Sequence, residues 1–372
     1  MTDNGIPLGP DDLEAAVAGG AVLGGGGGGT IAEGLRLGRE ALAAGTPRLL
    51  ALDAVQPDAL VATASLVGAP GDPRARVAPA DYTRAWELVR TLVERPIEGV
   101  ISCENGGTAS VHGWLQSAVF GVPVIDAPAN GRAHPTADMG GMGLERMDEF
   151  VAIQAAAGGN RETGAYLEQR VTGSLAATNR LVRAAAEEAG GLVGVARNPI
   201  AASYLQDHAA PGGLSQALEL GRRMVAGRSS TRPEAIVNVL IERLAAAVIA
   251  RGEVREYALR SEGAYDVGIA RVGGAELTIW NEYLTLDVEG ERIATFPDLI
   301  VTLDQNTGHP LTSAELSVGR SVVVLAAPAS QLILGAGVRC PEHFVALEAA
   351  VRREILKYVG VDVLTASEGS TT

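Results

Sequence analysis

Apolar and polar positions in the first part of the chain alternate between strand-like and helical spacing. Short apolar runs predict buried strands at 48–55, 59–68, 97–107 and 122–128. Between them, segments such as 81–94 place their apolar residues on one side of a helix. Strands and helices that alternate along the chain are typical of a mostly parallel sheet with helices on both faces. The pattern therefore predicts an α/β N-terminal domain over residues 1–165.

The spacing changes along the rest of the chain. Helical spacing predicts helices at 164–191, 214–227 and 234–252. We therefore expect residues 166–252 to form a helical continuation that packs on the N-terminal domain. Beyond residue 253, apolar and polar residues alternate between glycine turns, which is typical of antiparallel strands. Residues 253–372 are predicted to form a β-rich C-terminal domain with a closing helix.

Composition and charge narrow the range of partners and locations. Apolar residues make up 47% of the 372-residue chain, which is enough for a large buried core. The formal net charge of −14 repels phosphate backbones, so no nucleic-acid partner is expected. The first residues have neither a basic segment nor an apolar one, and no apolar run approaches the roughly 18 residues of a membrane span. We expect a cytoplasmic protein that acts on a small molecule.

Six consecutive glycines, residues 24–29, follow an apolar tripeptide and precede a predicted helix with Thr30 at its N-cap. A glycine loop that enters a helix presents free N–H groups and the positive end of the helix dipole. Gly26, Gly27 and Gly28 are therefore candidate substrate-binding residues. The alternative is a tight turn in which glycine merely lets two backbones pack. The run is not a P-loop, because no Gly-Lys-Ser/Thr follows it, and ATP is the less favoured ligand.

Polar residues follow two of the predicted strands, at the sheet edge where parallel sheets bind ligands. Glu104 ends the first strand, and Asn105, Gly106 and Gly107 form a candidate binding turn after it. Asp126 ends the second strand. Either carboxylate is a candidate general base. The alternative for Glu104 is that it caps the next helix.

A loop with an arginine and a histidine follows Asp126. Arg132 would neutralise a neighbouring carboxylate or hold a substrate oxygen, and the alternative is an Asp126–Arg132 pair that fixes the loop. The five histidines have no known metal-binding spacing. Asp126 and His134 would still bind a divalent metal such as zinc if a distant ligand joined them.

Polar residues also interrupt apolar segments of the predicted C-terminal domain, at Asn281, Glu282 and Asp298. Buried polar groups need partners, so these residues either brace the domain or reach the first domain's site. Glu282 is expected to brace the domain. Asn281 and Asp298 are candidate substrate-binding residues.

Six motifs, taken in order, resemble the DUF917 family, which is named for S-methyl thiohydantoin desulfurase and is related to the hydantoinase and oxoprolinase group. They are AVLGGGGGG at 21–29, ENGGT at 104–108, VIDAPANGRAHP at 124–135, GGLSQAL at 212–218, IWNEYL at 279–284 and FPDLI at 296–300. The resemblance implies hydrolysis of a five-membered cyclic amide, imide or thiohydantoin. The family pattern is matched by the glycine loop and by Glu104, Gly106, Gly107, Asp126, Gly131, Arg132, Asn281 and Asp298.

The reaction that follows from the resemblance is attack by water on the ring carbon between the two nitrogens, or on an adjacent carbonyl. Glu104 or Asp126 would activate the water, directly or through a metal, and Asp126→Asn should abolish turnover. N–H groups of the glycine loop and Arg132 would stabilise the developing oxyanion. The alternatives are a non-catalytic subunit that binds the ring compound for a hydantoinase-like partner protein, and an ATP-linked ring opening. A homo-oligomer is expected by default.

Overall fold

The computed structural model describes residues 5–68, 77–227, 233–262 and 265–365. Within these residues, strands between residues 6 and 201 form one eight-stranded sheet, and strands between residues 247 and 327 form a second. The first sheet carries helices and has parallel strands at its centre, and the second is antiparallel throughout. The predicted fold class, an α/β N-terminal domain followed by a β-rich C-terminal domain, is confirmed.

The first sheet is built around four parallel strands. Its strands are β1 Ile6–Pro7, β2 Arg48–Leu50, β3 Leu60–Gly68, β4 Gly99–Ser102, β5 Val124–Ile125, β6 Ala152–Gly158, β7 Leu167–Gly173 and β8 Leu192–Ala201. They lie in the order β1-β2-β5-β4-β3-β8-β6-β7. The strands β2, β5, β4 and β3 pair in parallel, and the strands outside them pair antiparallel. The carboxyl ends of β4 and β5 therefore share one edge of the sheet.

Helices cover both faces of this sheet. They are α1 Pro10–Leu23, α2 Ile31–Ala44, α3 Pro79–Arg90, α4 Trp114–Phe120, α5 Leu175–Glu188, α6 Ala202–His208 and α7 Gly213–Gly227. Successive side chains of a strand point to opposite faces, so Ala62 and Ala64 of β3 pack towards α1 to α4. Val61 packs towards α6 on the other face, which α5 also covers.

The second sheet pairs antiparallel throughout. Its strands are β9 Ala247–Glu262, β10 Tyr265–Val272, β11 Ala275–Trp280, β12 Glu282–Val288, β13 Glu291–Thr295, β14 Leu299–Asp304, β15 Pro310–Leu311 and β16 Ser321–Ala327. They lie in the order β13-β12-β11-β10-β9-β16-β14-β15. The remaining helices are α8 Glu234–Leu244, α9 Phe344–Val351 and α10 Val361–Thr365. The helices α8 and α9 pack with β14 and β16 in the core of this domain.

Two helices, α1 and α7, join the domains. Glycines let them approach closely, because a Cβ on Gly19 or Gly221 would overlap the backbone of the other helix. Leu13 of α1 belongs to the core of the first sheet, whereas Val22, near the end of the same helix, belongs to the core of the second. The glycine loop that follows α1, residues 24–29, therefore lies where the two domains meet.

Some predicted helices are wrong in their extent. The segment 164–191 begins as the edge strand β7, in which exposed and half-buried residues alternate and pair with β6. The interval 166–252 thus supplies β7 and β8 to the first sheet as well as helices. The predicted helix 234–252 ends at Leu244, because Ala245 takes a left-handed conformation with φ of 49° and β9 begins two residues later.

The closing helix is also shorter than the sequence pattern predicts. The helix α9 ends at Val351, because Arg352 has a positive φ of 54°. The apolar tripeptide before the glycine loop, for which the sequence allowed a helix, forms the last turn of α1. Across the described ranges, no helix has both the length and the apolar character that crossing a bilayer requires.

Candidate functional site

A cavity of about 150 Å³ lies between the glycine loop, the carboxyl end of β4 and the turn that joins β11 to β12. Its lining comes from both domains and includes Glu104, His134, Arg197, Asn281 and Glu282. A cavity of roughly 150 Å³ holds a benzene-sized ring in another protein. The space therefore suits a five-membered ring.

Close approach of two segments explains the run of glycines, residues 24–29. The carbonyl of Gly25 accepts a hydrogen bond from the Tyr283 N–H at 2.9 Å, which ties the loop to β12. A Cβ on Gly27 would overlap the Glu282 carboxylate. The loop is therefore built for close approach rather than for flexibility.

The glycine loop also offers hydrogen-bond donors to the cavity. Within the described residues, the N–H groups of Gly26, Gly28 and Gly29 have no acceptor, and all three residues line the cavity. Thr30 caps α2 as predicted, since its Oγ1 accepts the Glu33 N–H at 3.2 Å. The positive end of the α2 dipole lies beside the same donors.

The turn after Glu104 packs against the glycine loop. A Cβ on Gly28 would lie 2.6 Å from the Cα of Gly106, and a Cβ on Gly107 would lie 2.6 Å from the carbonyl oxygen of Gly29. Asn105 is fully buried. Its amide donates to the carbonyls of Gly131 and Gly213 at 3.1 and 2.8 Å, and its Oδ1 accepts from the Ser110 hydroxyl. Asn105, Gly106 and Gly107 thus position the cavity wall and do not line it.

Glu104 and His134 face each other in the cavity wall. Oε2 of Glu104 accepts the backbone N–H of His134 at 3.2 Å and lies 3.3 Å from its Nε2, without the geometry of a hydrogen bond. Nδ1 of His134 lies 2.8 Å from the carbonyl oxygen of Thr136. A carbonyl only accepts, so we assign the ring proton to Nδ1, which leaves the Nε2 lone pair near the carboxylate.

The protonation of both groups is set mainly by burial. Burial raises the pKa of Glu104 to about 7. The hydrogen bond from the His134 N–H and the positive charge of Arg197 lower this pKa, but by less than burial raises it. Burial and then Arg197 lower the pKa of His134 to about 4. Near neutral pH, Glu104 can therefore both accept and return a proton beside a neutral imidazole.

Glu282 and Arg197 add two more ionisable groups that are almost fully buried, at 2% and 3% exposure. Glu282 Oε2 and Arg197 Nη1 have no hydrogen-bond partner among the described residues. Burial, and then the charge of Glu104, raises the pKa of Glu282 well above its ordinary value. Buried polar atoms normally have partners. These atoms therefore indicate that the cavity takes a polar ligand.

Two of these residues differ from the sequence-based expectation. Glu282, expected to brace the C-terminal domain, lines the cavity instead. Arg197 was not a candidate, although an arginine within the apolar run LVGVARNPI, residues 192–200, is a signal that could have identified it. That run forms β8, which pairs with β3 beside the parallel strands.

Of the two candidate residues from the C-terminal domain, only one lines the cavity. Asn281 lines the cavity at the turn before β12, with a left-handed φ of 57° and its Oδ1 accepting the Asp266 N–H at 2.9 Å. Asp298 does not line it. Its carboxylate accepts the N–H groups of Ala329 and Thr295 at 2.9 and 3.3 Å, so it braces its own domain.

Arg132 joins the two domains behind the cavity wall. It is fully buried, and its Nη1 donates to the carbonyls of Pro297, at 2.9 Å, and Asp298. Its guanidinium lies over the Phe296 ring, 4.5 Å from the ring centre. These contacts join the motifs VIDAPANGRAHP and FPDLI and bind Nη1 of the side chain that was expected to hold an oxyanion. Nη2 of Arg132 is buried and has no hydrogen-bond partner among the described residues.

Asp126 binds the first turn of α7 instead of lining the cavity. Oδ1 accepts the N–H groups of Leu214 and Ser215 at 2.9 and 3.1 Å, and Oδ2 accepts the Ser215 hydroxyl. A carboxylate at a helix N-terminus compensates the unpaired N–H groups there. Among the described residues, no cluster of three potential metal ligands includes Asp126 or His134. The predicted pair of metal ligands therefore has no third ligand of these types among the described residues.

Comparisons with known proteins agree with the two-domain architecture. Residues 11–163 match the family model described as S-Me-THD-like, N-terminal domain, and residues 174–344 match the model described as S-Me-THD-like, C-terminal domain. The crystal structure of a protein from Chromobacterium violaceum is similar, with a TM-score of 0.64 and 23% sequence identity. The similarity covers 87% of this chain and 92% of that chain, and it shows a shared fold. No curated protein matches the chain.

Proposed function

Because the chain belongs to the S-Me-THD-like family, we propose that it is a hydrolase acting on a five-membered cyclic amide, imide or thiohydantoin, with an S-methyl thiohydantoin as the favoured substrate. The observation that carries this proposal is the Glu104–His134 pair in the wall of a ring-sized cavity. A carboxylate with a pKa near neutrality is suited to general acid–base work.

In the first step, the Glu104 carboxylate takes a proton from water as the water oxygen bonds to the ring carbon that bears the sulfur. The electron pair of the C=N double bond moves to the ring nitrogen. The adduct then carries a hydroxyl and the S-methyl group on one tetrahedral carbon. Glu104 is the group for this step because its Oε2 lies in the cavity wall, whereas both oxygens of Asp126 are bound by α7.

In the second step, the C–S bond breaks and the hydroxyl becomes a carbonyl. Protonated Glu104 returns its proton to the leaving sulfur, which departs as methanethiol. The hydroxyl proton passes to the ring nitrogen, for which the lone pair on His134 Nε2 provides a relay. One water is consumed, the products are a hydantoin and methanethiol, and no oxidant or reductant is needed.

Charge that develops on the ring in the first step needs nearby donors. The N–H groups of Gly26, Gly28 and Gly29, together with Nη1 of Arg197, supply donors that have no other acceptor in the described residues. Fixed donors in a site closed to water stabilise developing charge more strongly than water does. In this mechanism the glycine loop binds the ring, and Arg197 takes the role that the sequence suggested for Arg132.

The purified chain incubated with an S-methyl thiohydantoin, with and without ATP, tests the proposal. Methanethiol is detected with a thiol reagent, and the hydantoin is detected by chromatography. Release of both products without ATP supports the hydrolase. Binding of the ring compound without turnover identifies a ligand-binding subunit that depends on a partner protein, and turnover only with ATP identifies ATP-linked chemistry.

A further inference from the structure

A second group of reactive side chains lies at a different contact between the domains. Glu145 lies in the short helical turn Leu144–Arg146, and Cys340 and His343 lie just before α9. One potential ligand atom from each residue lies within 4.8 Å of the other two. Among the described residues, this is the only group of three histidine, cysteine or carboxylate side chains placed so closely, and none of the three lines the main cavity.

Two of the three distances within the group match those of a metal site. Oε1 of Glu145 lies 3.2 Å from Nε2 of His343 and 3.7 Å from Sγ of Cys340. In tetrahedral zinc sites, the usual bond lengths place nitrogen and oxygen ligands roughly 3.4 Å apart, and sulfur and oxygen ligands roughly 3.6 Å apart. All three potential ligand atoms lie within 4.8 Å of one another, so a modest movement of the side chains would place them around one ion.

The surroundings prepare two of these side chains for coordination. His343 Nδ1 lies 2.7 Å from the carbonyl oxygen of Gly337. If Nδ1 donates its proton there, the Nε2 lone pair is directed at the group, as in histidine sites that hold a metal. Cys340 is 2% exposed, whereas the Glu145 side chain is 31% exposed. The site therefore has one buried side and one side that is open to solvent, through which an ion can enter.

We propose that Glu145, Cys340 and His343 bind one zinc ion that fastens the two domains together. A thiolate and an imidazole favour zinc over the harder magnesium and calcium ions. The thiolate and the carboxylate together balance the two positive charges of the ion. A water molecule would complete the four ligands of a tetrahedral zinc ion. Coordination requires Cys340 as the thiolate, so binding releases the thiol proton to solvent.

Cobalt substitution tests this site without reference to enzyme activity. The full-length protein is treated with a chelator, dialysed and titrated with Co²⁺ under reducing conditions. We expect one equivalent to bind, with a near-ultraviolet thiolate-to-cobalt charge-transfer band and the intense visible bands of tetrahedral cobalt. One equivalent of Zn²⁺ should abolish both.

Matched variants identify the ligands. Cys340→Ser should lose the charge-transfer band, whereas Cys103→Ser, which removes the other cysteine of the chain, should keep it. Glu145 lies near the surface, so the Glu145→Gln variant should fold normally. Its metal affinity should fall by more than roughly 10–100-fold, which is the usual loss when a residue that only supports a metal ligand is changed. The proposal is overturned if Co²⁺ shows no saturable binding, if the band survives in Cys340→Ser, or if Glu145→Gln binds as tightly as the wild type.

Discussion

The carboxylate of Glu104 and the imidazole of His134 meet in the cavity wall, with 3.3 Å between Oε2 and Nε2. Glu104 follows β4, and His134 lies in the loop that follows β5, the parallel neighbour of β4. The shared sheet edge therefore brings together two groups that lie 30 positions apart in the sequence. In the proposed mechanism, this pair moves both protons of the attacking water.

The activity should rise with pH through about 7. Glu104 acts as a base only when deprotonated, and burial raises its pKa to about 7. His134 stays neutral over the same range, because burial lowers its pKa to about 4. The pH profile of kcat/KM should therefore be low under acidic conditions and reach a plateau above pH 7. A profile that is flat between about pH 5 and about pH 9 contradicts a base with this pKa.

Asp126→Ala should reduce stability and leave catalysis largely unchanged. The carboxylate accepts the first-turn N–H groups of α7, and loss of such a cap lowers the free energy of unfolding by about 0.5–2 kcal/mol. Denaturant unfolding measures this loss, and turnover per folded molecule should stay near the wild-type value. Loss of turnover in a folded Asp126→Asn variant would instead show that Asp126 takes part in the reaction.

Gly27→Ala should damage the site by overpacking it. A Cβ at this position overlaps the Glu282 carboxylate, and forced overpacking costs about 1–3 kcal/mol. The free energy of unfolding and the affinity for the ring compound should both fall. Gly274→Ala is the matched control, because no atom lies within 4 Å of its added Cβ. Equal behaviour of the two variants would show that the glycine loop does not need close approach.

Glu282→Gln should become more stable than the wild type as the pH rises. The pKa of Glu282 is raised in the folded protein, so the folded state holds the carboxyl proton more tightly than the unfolded chain. The wild-type free energy of unfolding therefore falls as the pH increases above 4.5, the ordinary pKa of this group, and the variant lacks that fall.

Unfolding at two pH values checks this prediction. At about pH 8 the Glu282→Gln variant should be more stable by on the order of 1–3 kcal/mol, the usual cost of an unpaired buried polar group. Near pH 4.5 the difference should largely disappear. The exposed Glu291→Gln is the control and should stay within about 0.5 kcal/mol of the wild type at both values. A variant that is less stable than the wild type at high pH would indicate a paired Glu282.

Local features of the fold and the site could be predicted from the sequence. The Thr30 cap, the close approach of the glycine loop and the position of Glu104 after a parallel strand all depend on neighbouring residues or on strand order. The strand β7 could not be identified in the same way. Its residues LEQRVTG become a strand because β6 pairs with them, and their own spacing also fits a helix.

The roles of the charged residues depended on distant segments. Asp126 and Glu104 both follow neighbouring parallel strands, yet the N-terminus of α7, 88 residues later, binds Asp126. Arg132 is bound by carbonyls 165 and 166 residues away, which left the cavity to Arg197 and Glu282. The sequence can predict that a carboxylate directly after a parallel strand lies near the sheet edge. Only tertiary packing decides which carboxylate faces the ligand.

The most direct test of the account is the turnover of an S-methyl thiohydantoin by the wild type and by Glu104→Gln, measured as methanethiol released per folded molecule. Glutamine keeps the size of the side chain but cannot take a proton from water. The account predicts that the wild type releases methanethiol and a hydantoin, and that kcat/KM falls by about 10²–10⁴-fold in the variant. Equal kcat/KM in the two proteins would contradict the assignment of Glu104 as the base.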